Sequence, residues 1–475
     1  MTDRVDDRVD EHVDLAIIGG GVVGAAIARR LARTRMRVAL LEAATDIGAG
    51  TSKANTALLH TGYDTLPGTA EARLVREGYA LLDEYAAHTG IAVERTGALL
   101  VAWTEEERAA LPGLAEHAAS VGYDRCEVID ALECYRREPL LGPGAIGAMT
   151  VPDESLIDPW STPIAFATEA LANGASVHRS RPVTRATRTS GGWDLGTAQG
   201  TLRTEWVVNG AGLRGDEIER LLGHDWFTVT PRRGELIVFD KLARSLVRNI
   251  LLPVPTGRTK GVLVSPTVFG NVMLGPTAED LDDKTDTSSS AAGLTGLLEH
   301  GRRILPALLG EEITAVYAGL RPATDNPDFR LAVRLDDHTV CVGGIRSTGL
   351  TASMALAEWV ASGLENAGVD VRERNDAVGV RMPDLGETHS RPYQDAERIT
   401  TDPEYGHIVC HCERVTAGEI RDALASPIAP VDLDGLRRRT RALMGRCQGF
   451  HCLAEMTTRL NDAATPGVLA RTTER

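Results

Sequence analysis

Val13–Glu42, VDLAIIGGGVVGAAIARRLARTRMRVALLE, decides the fold. Leu15–Gly19 has the length and β-branched content of a buried parallel strand. It runs into Gly19-x-Gly21-x-x-Gly24, after which Val23, Ile27 and Leu31 repeat at helical spacing. A second apolar run, Val38–Leu41, ends at Glu42, eighteen positions beyond Gly24. Each glycine has a physical task in binding a dinucleotide. Gly19 permits the tight turn, Gly21 lets the backbone approach a pyrophosphate, and Gly24 lets helix and strand pack closely. Unpaired N–H groups near Val22 and Val23 then face the phosphates, and Glu42 accepts hydrogen bonds from ribose hydroxyls. Strand, glycines, helix, strand and terminal acid in one unit specify an adenine-dinucleotide site.

The other elements extend that unit. Ile47–Ser52 is a small-residue loop placed to pass beneath the cofactor, and it brings Thr51 and Ser52 there. Trp206–Gly212 is an apolar strand ending in small residues, which puts Gly210 and Gly212 where a sheet end meets a ligand, with Val183 on an earlier returning segment. Thr339–Gly344 is another buried strand, and its turn into a helix makes Gly344, Gly349, Leu350 and Thr351 a second cofactor contact at the ring end. Between these, from Phe227 onward, short strands with turn signals predict an antiparallel sheet. Helices are predicted over about 70–88 and 161–173, and over 105–121 with a break near Pro112.

The chain has 475 residues, 43% apolar and 25% charged, which is enough for about two or three globular domains. A net charge of −15 argues against nucleic acid as a partner and requires a local cationic pocket for any anionic substrate. Candidates for that pocket are Arg321, ending a strand of the second sheet, with Arg258, Lys260 and Arg346 as secondary anchors. His60 lies in the polar loop after the first unit, as a base, a substrate ligand or a packed histidine. The charged residues 1–12 read as a disordered lead-in and no apolar run reaches membrane-spanning length, so the location reads as cytoplasmic, with peripheral membrane association through partners left open.

Four of the seven cysteines, Cys410, Cys412, Cys447 and Cys452, crowd into the last seventy residues. Four thiolates hold either zinc or an iron–sulfur cluster. The words around them, Ile408-Val-Cys-His-Cys-Glu413, Leu436-Arg-Arg-Arg-Thr440 and Met444-Gly-Arg-Cys-Gln-Gly-Phe-His-Cys452, resemble the ferredoxin-like domain of bacterioferritin-associated ferredoxin, which implies a 2Fe–2S cluster on the four cysteines. Arg437, Arg438, Arg439 and Arg446 then read either as offsets to the anionic cluster or as a solvated face.

Val13 to about Asn366 resembles the FAD-dependent oxidoreductases of the D-amino-acid oxidase superfamily. Within it, Ala54–Asp64, Gly261–Thr267, Asn271–Thr277, Ala318–Pro322 and Gly344–Thr351 are similar to glycerol-3-phosphate dehydrogenases of the anaerobic large-subunit type. The resemblance implies an α/β fold: a Rossmann-like FAD-binding domain (13–75, 151–225, 335–370) interleaved with an antiparallel-sheet substrate domain (76–150, 226–334), a linker (371–406) and a small 2Fe–2S domain (407–465). It implies a flavoprotein dehydrogenase of a small anionic secondary alcohol, glycerol 3-phosphate first, delivering electrons to a one-electron acceptor or a partner redox subunit, quinone-linked in some arrangements. No His or Cys lies between Gly48 and Asn55, so non-covalent flavin is expected. Rival readings are a 2-hydroxyglutarate-type hydroxy-acid dehydrogenase, an amine or amino-acid dehydrogenase, and a non-catalytic electron-transfer subunit.

Overall fold

The first unit folds as strand β1 (Val9–Ile18), helix α1 (Val22–Ala32) and strand β2 (Val38–Leu41) in the computed structural model, which describes residues 9–255 and 261–464. β1 and β2 pair in parallel from Leu15↔Val38 to Ile18↔Leu41, and Leu15, Ile17 and Leu40 are fully buried. Strand β3 (Gly200–Asn209) lies parallel on the other side of β1, with Ile18 opposite Asn209. The end of β3 carries the parallel strand Thr339–Gly343, and Ser176–His178 continues the sheet beyond β2. α1 packs against two further helices, Ser161–Ala172 and Gly349–Asn366, through a face of Ala25, Ala28 and Leu31. The strands are short, apolar and covered, as parallel strands must be.

A second, nine-stranded sheet is built around β4 (Thr230–Phe239) and β5 (Ile313–Ala323), antiparallel along most of their lengths with Gly234 opposite Gly319 and Arg232 opposite Arg321. Its apolar face, including Ile237, Leu251, Val264 and Leu274, buries against the helix Ala291–Ile304. A small third sheet joins Leu58–Leu59 and Val93–Glu94 to Ser155–Ile157. The Leu59↔Ser155 pair sets His60 beside Glu154.

Three expectations are corrected. Residues 9–12 are not a lead-in: they extend β1 along Thr201–Arg203, where Glu11 accepts from Ser176 Oγ (2.6 Å) and pairs with His178 (2.7 Å). Residues 1–8 lie outside the described residues. The helix Glu105–Ser120 runs unbroken through Pro112, which is exposed and removes one backbone bond from a helix well anchored by the Thr104–Glu107 capping box. The later part of the expected linker is folded onto the C-terminal domain: Arg391 is 3% exposed and bonds Glu419 (2.9 Å), and the Tyr405 ring fills the space a Cβ on Gly418 would need.

The β1–α1 junction admits no side chain at its closest point. A Cβ on Gly24 would stand 1.9 Å from the Gly19 carbonyl oxygen, and one on Gly19, at φ +108°, would stand 2.5 Å from the Gly210 oxygen. Gly24→Ala is therefore expected to cost about 1–3 kcal/mol of stability, the range for overpacking. It should lower the melting temperature and the bound-dinucleotide absorbance together, as circular dichroism and visible spectra would record.

Candidate functional site

The dinucleotide end is assembled by three loops. Gly19 N–H donates to Leu41 O (2.8 Å) and Gly210 N–H to Ile18 O (2.9 Å), which fixes the sheet edge. Neither α1 nor Gly349–Asn366 has a side-chain cap hydrogen bond at its start. The two starts converge, for a Cβ on Gly349 would lie 3.9 Å from Val23 Cγ2. Two helix N-termini whose N-cap residues supply no side-chain acceptor make one electropositive place. Ser52 Oγ in the neighbouring loop accepts from Val22 N–H (3.0 Å) and stands 3.3 Å from where a Gly21 Cβ would be, so a side chain at Gly21 would crowd that loop. Thr51 Oγ1 donates to Leu320 O (2.8 Å), tying this loop to β5. The Glu42 carboxylate accepts from Gly20 N–H (2.6 Å) and Ala44 N–H (2.7 Å), and burial raises its pKa against those bonds. Val183 packs at the edge of the Val13, Ala16 and Ile18 cluster. Gly212 and Gly344 both take positive φ (+55° and +64°), Leu350 is buried, and Thr351 is 1% exposed.

The second part of the candidate site, with Arg321 and His60, lies where β5 meets that loop. A Cβ on Gly319 would stand 2.3 Å from Ala54 O, so β5 and the loop touch backbone to backbone. Two residues on, the Arg321 guanidinium occupies the space of the missing Gly234 side chain and donates only long bonds to Thr277 O (3.4 Å). Burial, with the Arg232 charge nearby, pulls its pKa down to about 10. No carboxylate is paired with it among the described residues, so it is a half-buried cation lacking a counter-charge. His60 N–H donates to Thr351 Oγ1 (2.9 Å), which joins the histidine loop to the second helix start. Its Nδ1 accepts from Gly62 N–H (2.9 Å), assigning the neutral ring's proton to Nε2, 3.3 Å from Asp64 Oδ1. Glu154 Oε1 lies 3.4 Å from Nδ1 while Oε2 accepts from both Thr61 N–H and Thr61 Oγ1 (2.9 Å each).

Glu154 and Asp64 are neighbours that the sequence reading passed over. Asp153–Asp158 reads as turn chemistry, although a glutamate placed directly before a wholly buried Ser-Leu-Ile strand signals a buried carboxylate. Arg346 is directed elsewhere: it donates to Pro327 O and lies 3.5 Å from Glu71. Arg258 and Lys260 lie outside the described residues.

In the C-terminal domain the thiols meet as two pairs, Cys410 with Cys452 and Cys412 with Cys447. No three His, Cys, Asp or Glu side chains close on a single metal point among the described residues. Two dithiol pairs suit a dinuclear cluster with two ligands per iron better than one zinc. Backbone donors serve the sulfurs. The His451 N–H, followed by those of Gly449 and Phe450, holds the Cys447 thiol below its ordinary pKa. Burial pushes Cys410 up to about 11 against N–H donors from Glu413 and Leu443. These donors stabilise sulfur-borne negative charge. Cys410 and Cys452 are each 1% exposed, while Cys412 and Cys447 are half-buried.

The family model described as FAD dependent oxidoreductase, DAO, matches residues 14–363. The chain belongs to this family. A second model, the BFD-like [2Fe-2S] binding domain, matches residues 408–461. A glycerol 3-phosphate dehydrogenase of Caloramator mitchellensis is 33% identical over 436 residues, covering 92% of this chain and 91% of its own. One of the subunits of the anaerobic glycerol-3-phosphate dehydrogenase of Escherichia coli K12 is 28% identical over 481 residues, covering 92% of this chain and 85% of its own. The solved structure of L-α-glycerophosphate oxidase from Mycoplasma pneumoniae with FAD bound matches at a TM-score of 0.74 and 26% identity, across 78% of this chain and 99% of that one. FAD and a 2Fe–2S cluster are thus the cofactors of this oxidoreductase, and the uncapped helix starts and paired thiols fit them.

In this FAD-dependent oxidoreductase the two cofactor domains are locked by charge. Asp46, fully buried in the loop after Glu42, accepts from Arg438 (2.7 Å) and from two nitrogens of Arg439 (2.7 Å each). Lys53 pairs with Asp434 (3.0 Å) and Arg446 with Asp240 (2.6 Å), while Arg437 is bound to Asp434. For two of the four arginines neither the cluster offset nor the solvated face holds: Arg438 and Arg439 are drawn to the flavin loop by its buried carboxylate, while Arg437 and Arg446 stay exposed and Arg446 lies within electrostatic reach of Cys412. Burial opposes the Asp46 charge, but Arg439 and then Arg438 outweigh it and lower the pKa. A lowered folded pKa places the stabilisation above the ordinary carboxylate value and removes it as pH falls through the folded one. Asp46→Asn, which leaves the buried Arg439 guanidinium without a carboxylate while Arg438 keeps Asp434, is expected to cost about 3 kcal/mol in denaturant melts at neutral pH. That gap should narrow as the pH is lowered below about 4.

Proposed function

We propose that this chain oxidises glycerol 3-phosphate at its secondary alcohol, giving dihydroxyacetone phosphate. The observation that carries the reading is Arg321: a half-buried guanidinium without a carboxylate partner among the described residues, at the point where the second sheet touches the flavin loop. A planar fork of donors suits a phosphate, and bound phosphate would supply the missing counter-charge. His60, held at its backbone N–H by Thr351 and with Nδ1 taken by Gly62 N–H, presents its Nε2–H to Asp64, and the Asp64 carboxylate at that edge is the group that takes the hydroxyl proton. Glu154, 3.4 Å from Nδ1 and bonded by Thr61, fixes the loop that carries the imidazole. When bound, FAD supplies a two-electron acceptor and the 2Fe–2S cluster a one-electron acceptor. Electrons then leave the chain singly, which calls for a partner redox protein, with quinone as the final sink. The Escherichia coli relative, itself one component of a multi-subunit anaerobic dehydrogenase by its name, supports that arrangement.

Anaerobic addition of glycerol 3-phosphate to the purified chain is expected to bleach the flavin band near stoichiometry. Bleaching by 2-hydroxyglutarate instead, or by amino acids with ammonia release, would overturn the substrate. No bleaching by any of them would leave an electron-transfer subunit. Arg321→Ala should keep its flavin while KM for glycerol 3-phosphate rises about 30-fold, equivalent to about 2 kcal/mol of lost charge-assisted binding. Equal loss of flavin and affinity would remove Arg321 from the anchor role.

A further inference from the structure

Arg441 is a buried cation that neither the glycine fingerprint nor the cysteine motif explains. It is 4% exposed, sits at φ +74° at the end of the helix Leu433–Thr440, and donates its N–H to Arg437 O (2.8 Å). Its Nη2 donates to Asn271 Oδ1 (2.8 Å) and lies 3.3 Å from Glu413 Oε2. Its guanidinium stands 4.2 Å over the Phe269 ring, which stacks at 4.9 Å on Trp160. The Trp160 indole N–H reaches Lys53 O (3.1 Å), in the turn that begins at Thr51 beneath the flavin site. On the other side, Glu413 is 2% exposed, directly follows the ligand Cys412, and donates its own N–H to Cys410 sulfur. Lys241 lies 2.9 Å from the same Glu413 oxygen. The Glu413 carboxylate beside the cysteine loop therefore sits between two cations inside the seam, Lys241 and the more deeply buried Arg441.

We propose that Arg441 and Glu413 set the reduction potential of the 2Fe–2S cluster, Arg441 raising it and Glu413 lowering it. Reduction adds one electron to a cluster already anionic from four thiolates, converting one Fe(III) to Fe(II) with no bond broken. A nearby buried positive charge favours that added negative charge and a buried carboxylate disfavours it. Both groups are shielded from solvent, so salt screens them little. Stacking on Phe269 and the bond to Asn271 keep the guanidinium from swinging away, which makes Arg441 a positioning residue for charge.

The test is an anaerobic redox titration of the full-length holoenzyme with dithionite and mediators, following the cluster by EPR and visible absorbance. Arg441→Gln should shift the cluster midpoint to lower potential, Arg441→Lys should restore it toward the unmodified value, and Glu413→Gln should shift it upward. Each shift should persist in high salt. Opposite signs from two neighbouring substitutions are not what a loosened fold produces. An unchanged or lowered midpoint in Glu413→Gln overturns the proposal, as does an unchanged midpoint in Arg441→Gln with full cluster content. Should Arg441→Gln fail to assemble the cluster, Glu413→Gln decides alone.

Discussion

Asp46 has no water to turn to. Its carboxylate is fully buried in the loop that follows the first βαβ unit, and it remains charged because Arg438 and Arg439 reach it from the far end of the sequence. Its neighbours carry the effect to the cofactor. Ile47 packs where a Gly20 side chain would be, and Gly48 N–H donates to Gly20 O (2.9 Å). The phosphate-binding glycines are thus braced from beneath by a segment that the C-terminal domain holds in place. A buried ion pair adds little net stability compared with apolar packing, but either half alone is strongly unfavourable. The two domains therefore depend on each other's presence to complete their charge.

The architecture was legible where one residue type does one job. Gly19, Gly21 and Gly24 are spaced by the needs of a phosphate-binding turn, and a Cβ on Gly19 or Gly24 would collide with backbone in the folded chain. The four cysteines left zinc and an iron–sulfur cluster open, and the resemblance of the words around them to a ferredoxin-like domain pointed to the cluster. The arginines were not legible in this way. Arg437, Arg438, Arg439, Arg441 and Arg446 look alike in the sequence, yet one is drawn to Asp434, two to Asp46, one to Asn271 and Phe269, and one to Asp240. Apart from Asp434, their destinations are set by carboxylates, amides and rings between about 170 and 390 residues away, information that no local window holds. Val9–His12 misled for the related reason that their partners lie on β3.

The candidate site shows the same division. Residue type and position single out His60 and Arg321 as candidates, whereas Glu154 is signalled only by the buried strand that follows it, because its part in the site comes from burial beside His60. Half-buried Arg321 differs from the buried arginines in having no acid to meet among the described residues. That asymmetry separates a binding group from a structural one more sharply than its burial does.

The pairing of Leu59 with Ser155 has a consequence for how this protein family can vary. His60 and Glu154 are brought together by one rung of a tiny sheet, and the polypeptide between them forms a closed excursion through the helix Ala70–Thr89 and the outer strands of the second sheet. Because the rung fixes both ends, lengthening that excursion need not move the imidazole relative to its carboxylate. The reacting groups are insulated from the part of the chain best suited to acquire insertions, so a lineage can remodel its periphery while its chemistry stays in register.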